Sequence, residues 1–168
     1  MQRTREDAMT VDTRQSDNPN ASNPASSRGA PLGSGTSMIQ LMMGGVTPRH
    51  GFPLHCRLRY FDTMRRRAGA PPGVAALVTA MSADSTTAIV VNTNQAEEQR
   101  LCVQGGAYGE HKISSVSIAG VGAGAAVSET VVDSPYFRLR LAPGAGATLV
   151  LAMERWAYPP SFAFPWDR

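Results

Sequence analysis

From residue 53 onward, apolar and polar positions alternate in short runs, the two-residue period of strands resting one face on a core. In PLHCRLRYF (53–61), Leu54, Cys56, Leu58 and Tyr60 share one face, with His55, Arg57, Arg59 and Phe61 on the other. TTAIVVNT (86–93) is β-branched and apolar, and the polar turn NQAEE (94–98) follows it. QRLCVQ (99–104) points Leu101 and Val103 the same way. KISSVSIAG (112–120) sets Ile113 and Ser115 against Ser114 and Val116, and its alternation then slips by one residue, the mark of a bulge or a strand end. YFRLRLAPGAGATLVLAME (136–154) predicts a hairpin. Phe137, Leu139 and Leu141 alternate with Arg138 and Arg140, PGAG (143–146) turns, and Leu149, Leu151 and Met153 alternate on the return.

Between these runs the pattern changes. MIQLMMGG (38–45) is apolar and ends in a glycine pair, where ordered structure should begin. DTMRRRAGAPPG (62–73) has loop chemistry and VGAGAAV (121–127) that of a flexible connection. VAALVTAM (74–81), after Pro71-Pro72, predicts a short helix, with a buried strand as the other reading. RWAYPPSFAFPWDR (155–168) should wrap over a surface, because proline cannot donate to a strand ladder. Roughly seven short strands separated by turn signals predict an all-β fold, an antiparallel β-sandwich. Residues 1–37 carry no aromatic side chain and include SDNPNASNPASSRGAPLGSGTS. Such a segment buries too little apolar surface to offset its ordering entropy, so a disordered N-terminal tail is expected before a sandwich domain at 38–168.

Composition sharpens this picture. Charged residues are 17% of 168, with 16 glycines and 12 prolines, which suits a loop-rich β protein better than a helical bundle. The net charge of +3 is too small to imply nucleic acid. Its distribution is uneven: six arginines (49, 57, 59, 65, 66, 67) face only Asp62 between residues 49 and 67. Lys112 is the only lysine, a skew that with abundant Ala and Gly resembles a GC-rich bacterial genome. Cys56 and Cys102 fit no metal spacing and lie in apolar stretches, so two reduced core thiols are expected. No apolar run approaches the ~18 residues of a membrane span, and residues 1–15 lack the apolar segment of a secretory signal. A soluble, cytoplasmic chain is expected.

A strand ending in VVNTN, then RLCVQGGAYGEH, then YFRLRLAPGAGATLVLAME resembles the C-terminal β-sandwich of bacterial glycoside-hydrolase-like proteins. The likeness extends over residues 38–168 and includes GGVTPRHGFPLHCRLRYFD. It implies an accessory domain packed against a larger catalytic toroid or barrel that this chain does not contain. The family's catalytic carboxylates would lie upstream, and none transfers to a position here.

Four groups of residues invite a functional reading. Glu110 and His111 follow three glycines, but adjacent residues of an extended segment point to opposite faces and would not converge on one atom. A structural turn is the plainer expectation, a polar rim facing a ligand the other. His50, His55 and His111 share no ligand spacing, so no metal or other cofactor is expected. Arg65, Arg66 and Arg67 could grip phosphate or sulfated sugar through planar guanidinium forks, or form a solvated loop or docking surface. Trp156, Tyr158, Phe162, Phe164 and Trp166 could offer sugar-stacking platforms, or pack as core or interface.

The expected function is a non-catalytic accessory or interaction domain, docking another domain or subunit through an apolar and arginine-rich surface. The alternative is a stand-alone carbohydrate-binding module using Trp156, Tyr158 and Trp166. Hydrolysis centred on Glu110 is the remaining enzymatic reading.

Overall fold

The computed structural model describes residues 35–46, 53–120 and 127–168. The expected disordered tail falls almost wholly outside these, as do Arg49, His50, Phe52 and residues 121–126 of the expected connection. The described chain opens with helix α1 (Gly35–Met43). Strands β1 (Gly45–Val46) and β2 (His55–Cys56) pair with each other. One main sheet has the order β10-β7-β3-β4, from β3 (Leu58–Asp62), β4 (Arg67–Ala68), β7 (Gln99–Gly105) and β10 (Tyr136–Leu141). The other is β5-β6-β11-β8-β9, from β5 (Val74–Met81), β6 (Ser85–Asn92), β8 (Lys112–Gly120), β9 (Val127–Ser134) and β11 (Gly146–Glu154). All strand pairs in both sheets are antiparallel.

The sheets sandwich one core. Leu58, Tyr60, Leu101, Val103, Leu139 and Leu141 enter it from the four-stranded sheet. Ala88, Val90, Ile113, Val116, Leu149, Leu151 and Met153 meet them from the five-stranded one. Burying one such side chain contributes about 1.5–3 kcal/mol. The slip in KISSVSIAG is a bulge: Ile113 and Val116 are both buried, and β8 inserts Ser114 between Ile113 and Ser115, whose partners in β11, Met153 and Ala152, are adjacent. An extra residue in one strand is what brings two positions three apart onto one face.

Two local expectations are corrected. Residues 74–81 form the strand β5, not a helix. Gly73 turns at φ +80°, and of the next eight residues all but Thr79 pair with β6, from Val74↔Asn92 to Met81↔Thr86. Val74, Ala76 and Val78 face the core at every second position, but alanine and leucine on the outward face hide that period from the sequence. Residues 136–154 form no hairpin. β10 pairs with β7 in one sheet and β11 with β6 and β8 in the other, so 142–145 is a crossover between layers. Both strands alternate because both face the same core, from opposite sides.

Asn92 ties this crossover down. Fully buried, its Nδ2 donates to the carbonyls of Glu97 (2.8 Å), Ala142 (3.0 Å) and Leu141 (3.3 Å). Its Oδ1 accepts the amide of Asn94 at 3.0 Å. The asparagine of VVNTN and the APGAG turn are therefore two halves of one hydrogen-bonded joint. β9 has no counterpart among the predicted strands. Its side chains are mostly exposed on both faces, so it lacks the apolar period that announces a strand.

Candidate functional site

The glycine-rich corner 105–111 is built around Glu110. Gly106 (φ +82°) and Gly109 (φ +71°) take left-handed conformations, folding the chain back so that the His111 amide donates to the Gly105 carbonyl at 3.2 Å. A Cβ on Gly106 would collide with the Glu110 carboxylate. That carboxylate, on a residue 3% exposed, accepts the amides of Tyr108 (2.7 Å) and Ala107 (3.2 Å). Both its oxygens thus hold the turn. His111 is equally buried, and its Nδ1 accepts the Trp156 amide at 3.3 Å. Burial pushes the imidazole below its ordinary pKa; Glu110 opposes this, while Arg155 and Arg57 add to it. His111 is therefore a neutral acceptor. Trp156, whose indole edge meets His111, sits at φ +62°, a strained conformation for a bulky residue held by that hydrogen bond.

The C-terminal segment 155–168 straps across the outer side of the four-stranded sheet from this corner, as the prolines predict. Tyr158 donates its amide to the Glu110 carbonyl (3.2 Å) and Ser161 to that of Tyr108 (2.9 Å). The Arg168 guanidinium bridges the Tyr108 and Ser161 carbonyls. Phe164 and Trp166 stack on each other, 4.9 Å apart, and both set an edge against Phe61, which they bury. Arg66 lies over the Trp166 ring. Trp156 is half exposed, whereas Trp166 lies partly buried among Phe61, Phe164 and Arg66.

The arginine triplet occupies the β3–β4 turn and divides its contacts. Asp62, almost wholly buried, accepts the amides of Met64 (3.1 Å) and Arg65 (3.0 Å) and pairs with the guanidiniums of Arg65 (3.2 Å) and Arg67 (3.7 Å). Burial raises its pKa, but the hydrogen bonds and charge of Arg65 outweigh that and hold it below the usual carboxylate range. Arg66, in a left-handed conformation (φ +49°), reaches Asp167 of the strap at 3.3 Å.

Beside Arg66 a groove of about 520 Å³ opens on the outward face of the four-stranded sheet. The register explains its charge. Arg140 of β10 lies directly opposite Arg100 of β7, and Arg138 opposite Cys102. With Arg66, four arginines line it; Met64, Tyr136, Pro165 and Trp166 supply apolar wall. Arg100 pairs with Glu98 at 2.7 Å, while no described carboxylate lies within ion-pair distance of Arg138 or Arg140. Like charges directly across a ladder destabilise it. The fold tolerates this pair at an open surface. Sequence reasoning missed Arg100, Arg138 and Arg140: FRLRL shows two outward cations, but only the β10–β7 register adds the third.

Cys102 floors this groove and Cys56 lies behind the corner; both thiols are free, buried and pushed up to about 12 by burial. Among the described residues, no cluster of three His, Cys, Asp or Glu could hold a metal ion. No described helix is long and apolar enough to cross a membrane. The fold and groove together define a two-sheet antiparallel β-sandwich with a cationic, aromatic-walled face. No family model, curated protein or solved structure matches the chain. The likeness to a glycoside-hydrolase accessory sandwich stands on the quoted residues alone.

Proposed function

We propose that this chain is a non-catalytic interaction domain whose contact face is the arginine groove of the four-stranded sheet, and whose partner presents carboxylates. One observation carries the reading. Arg138 and Arg140 stand outward beside Arg100 and an aromatic wall, in a concavity large enough for side chains of a partner. The acid and imidazole that a catalytic reading would enlist, Glu110 and His111, bond to main-chain amides instead. Guanidinium forks match carboxylates in bidentate geometry, and a cationic concavity steers an acidic surface towards itself.

Poly-glutamate titrated into the full chain should quench or shift tryptophan fluorescence saturably, because Trp166 borders the groove. The response should fade as salt rises from about 0.1 M to about 1 M, where the screening length falls from about 10 Å to about 3 Å. It should also disappear in Arg138→Gln/Arg140→Gln. Absence of binding, or binding that this variant leaves intact, defeats the reading. A fluorescence response to neutral glycans that survives the double substitution would favour the carbohydrate-module alternative.

A further inference from the structure

We infer that the partner's contact segment is an extended acidic strand that adds to the four-stranded sheet along β10, its alternate carboxylates meeting Arg138 and Arg140. The inference rests on the docking reading above and specifies its geometry. β10 is an outermost strand, joined by register to β7 alone from Tyr136↔Gln104 to Leu141↔Gln99. Among the described residues, the main chain of 136–140 bonds beyond β7 at one point, where the Tyr136 amide donates to the nearby Ser134 hydroxyl at 3.4 Å, and the amides of Arg138 and Arg140 bond to nothing there. An edge strand presents a row of amides and carbonyls ready to pair with another chain.

The other long edges are closed to such a segment. β5 has helix α1 packed against it. β9 carries its own acids, Glu129 bonded to Ser115 and Asp133 paired with Lys112, and would repel acidic side chains. β4, at the far side of the same sheet, has only two residues. A second copy is disfavoured at β10 as well: antiparallel self-pairing about Leu139 would set Arg138 against Arg140 twice. The charge that excludes a copy selects an acidic strand.

The spacing defines the motif. Side chains alternate along a strand, with same-face neighbours about 6.8 Å apart and cross-strand partners about 5 Å away. Residues opposite Arg138 and Arg140 are therefore two apart in the incoming segment, an acid–x–acid pattern. The intervening residue lies on the side of Leu139, where the core comes to the sheet edge and an apolar side chain fits.

Three probes test this with the full chain: a short peptide alternating glutamate and valine, an isomer with its glutamates in one block, and the alternating peptide N-methylated on one backbone edge. The alternating peptide should bind roughly tenfold or more tighter than the other two. It should also slow amide exchange at residues 136–140, read by NMR. Arg138→Glu/Arg140→Glu should lose this peptide and accept one alternating lysine and valine, with the same amide protection. Should that variant lose its native spectrum, Arg138→Gln alone should still weaken the glutamate peptide. Equal binding of all three probes without β10 protection overturns strand addition while leaving carboxylate docking standing. Failure of every acidic probe overturns both.

Discussion

The two sheets obey different rules. In the five-stranded sheet, β6 and β11 alternate almost perfectly between buried and more exposed positions, and their outward faces are small or β-branched up to the terminal Glu154. In the four-stranded sheet, β7 is buried continuously from Leu101 to Gly105. The first sheet is a wall with one wet side. The second is covered on its outer side too, by the strap 155–168 and the corner 105–111, except where the arginine groove opens. In β7 the break in alternation marks the place where the chain returns to cover its own sheet. In this molecule the groove lies at the margin of that cover.

The largest effect belongs to the core that both sheets share. Leu149→Ala, at a fully buried position, should cost about 2–5 kcal/mol and lower the denaturation midpoint for both sheets together. Separate transitions for the two layers would contradict a common core. A smaller and more local loss is expected from Glu110→Ala, which strips two amides of a charged acceptor and should cost about 1.5–3 kcal/mol. Its signature should be faster amide exchange at 105–111 and in the strap, with β6 and β11 unchanged.

Acid should act on the same region. The folded chain holds the His111 pKa below its ordinary 6.5, so as pH falls through that value the unfolded chain gains a proton that the folded one resists. Stability from this residue is thus present above the unfolded pKa and declines as pH drops from about 7 towards 5. Melting temperatures across that range should fall less steeply in His111→Gln than in the parent chain. The smallest effect is expected at the groove. Arg140→Gln removes one half of an opposed like-charge pair and should leave stability within about 0.5 kcal/mol or raise it slightly, while weakening poly-glutamate binding. A large loss of stability there would mean that Arg140 is a structural residue.

Sequence reading succeeded where apolar residues of one face recur at every second position. Leu58, Tyr60, Leu101, Val103, Leu139 and Leu149 were all legible as core from that period. It failed at β5, where outward Leu77 and Ala75 blur the period. It failed again at the supposed hairpin, because alternation reports which way a side chain faces and not which strand lies beside it. The site was legible only in pieces: the triplet at 65–67 stood out as a charge run, yet two of its members are bound to Asp62.

What the chain's own order of residues determined is the two-residue period, hence an all-β fold with its apolar faces turned inward, and a proline-rich end unable to join a ladder. Folding placed β10 and β11 in different layers, locked their crossover through Asn92, and set Arg100 beside Arg140. The physical reason is that facing direction is a local property of an extended backbone, set by residues two apart. Neighbourhood across a ladder is decided by segments dozens of positions away competing for the same edge.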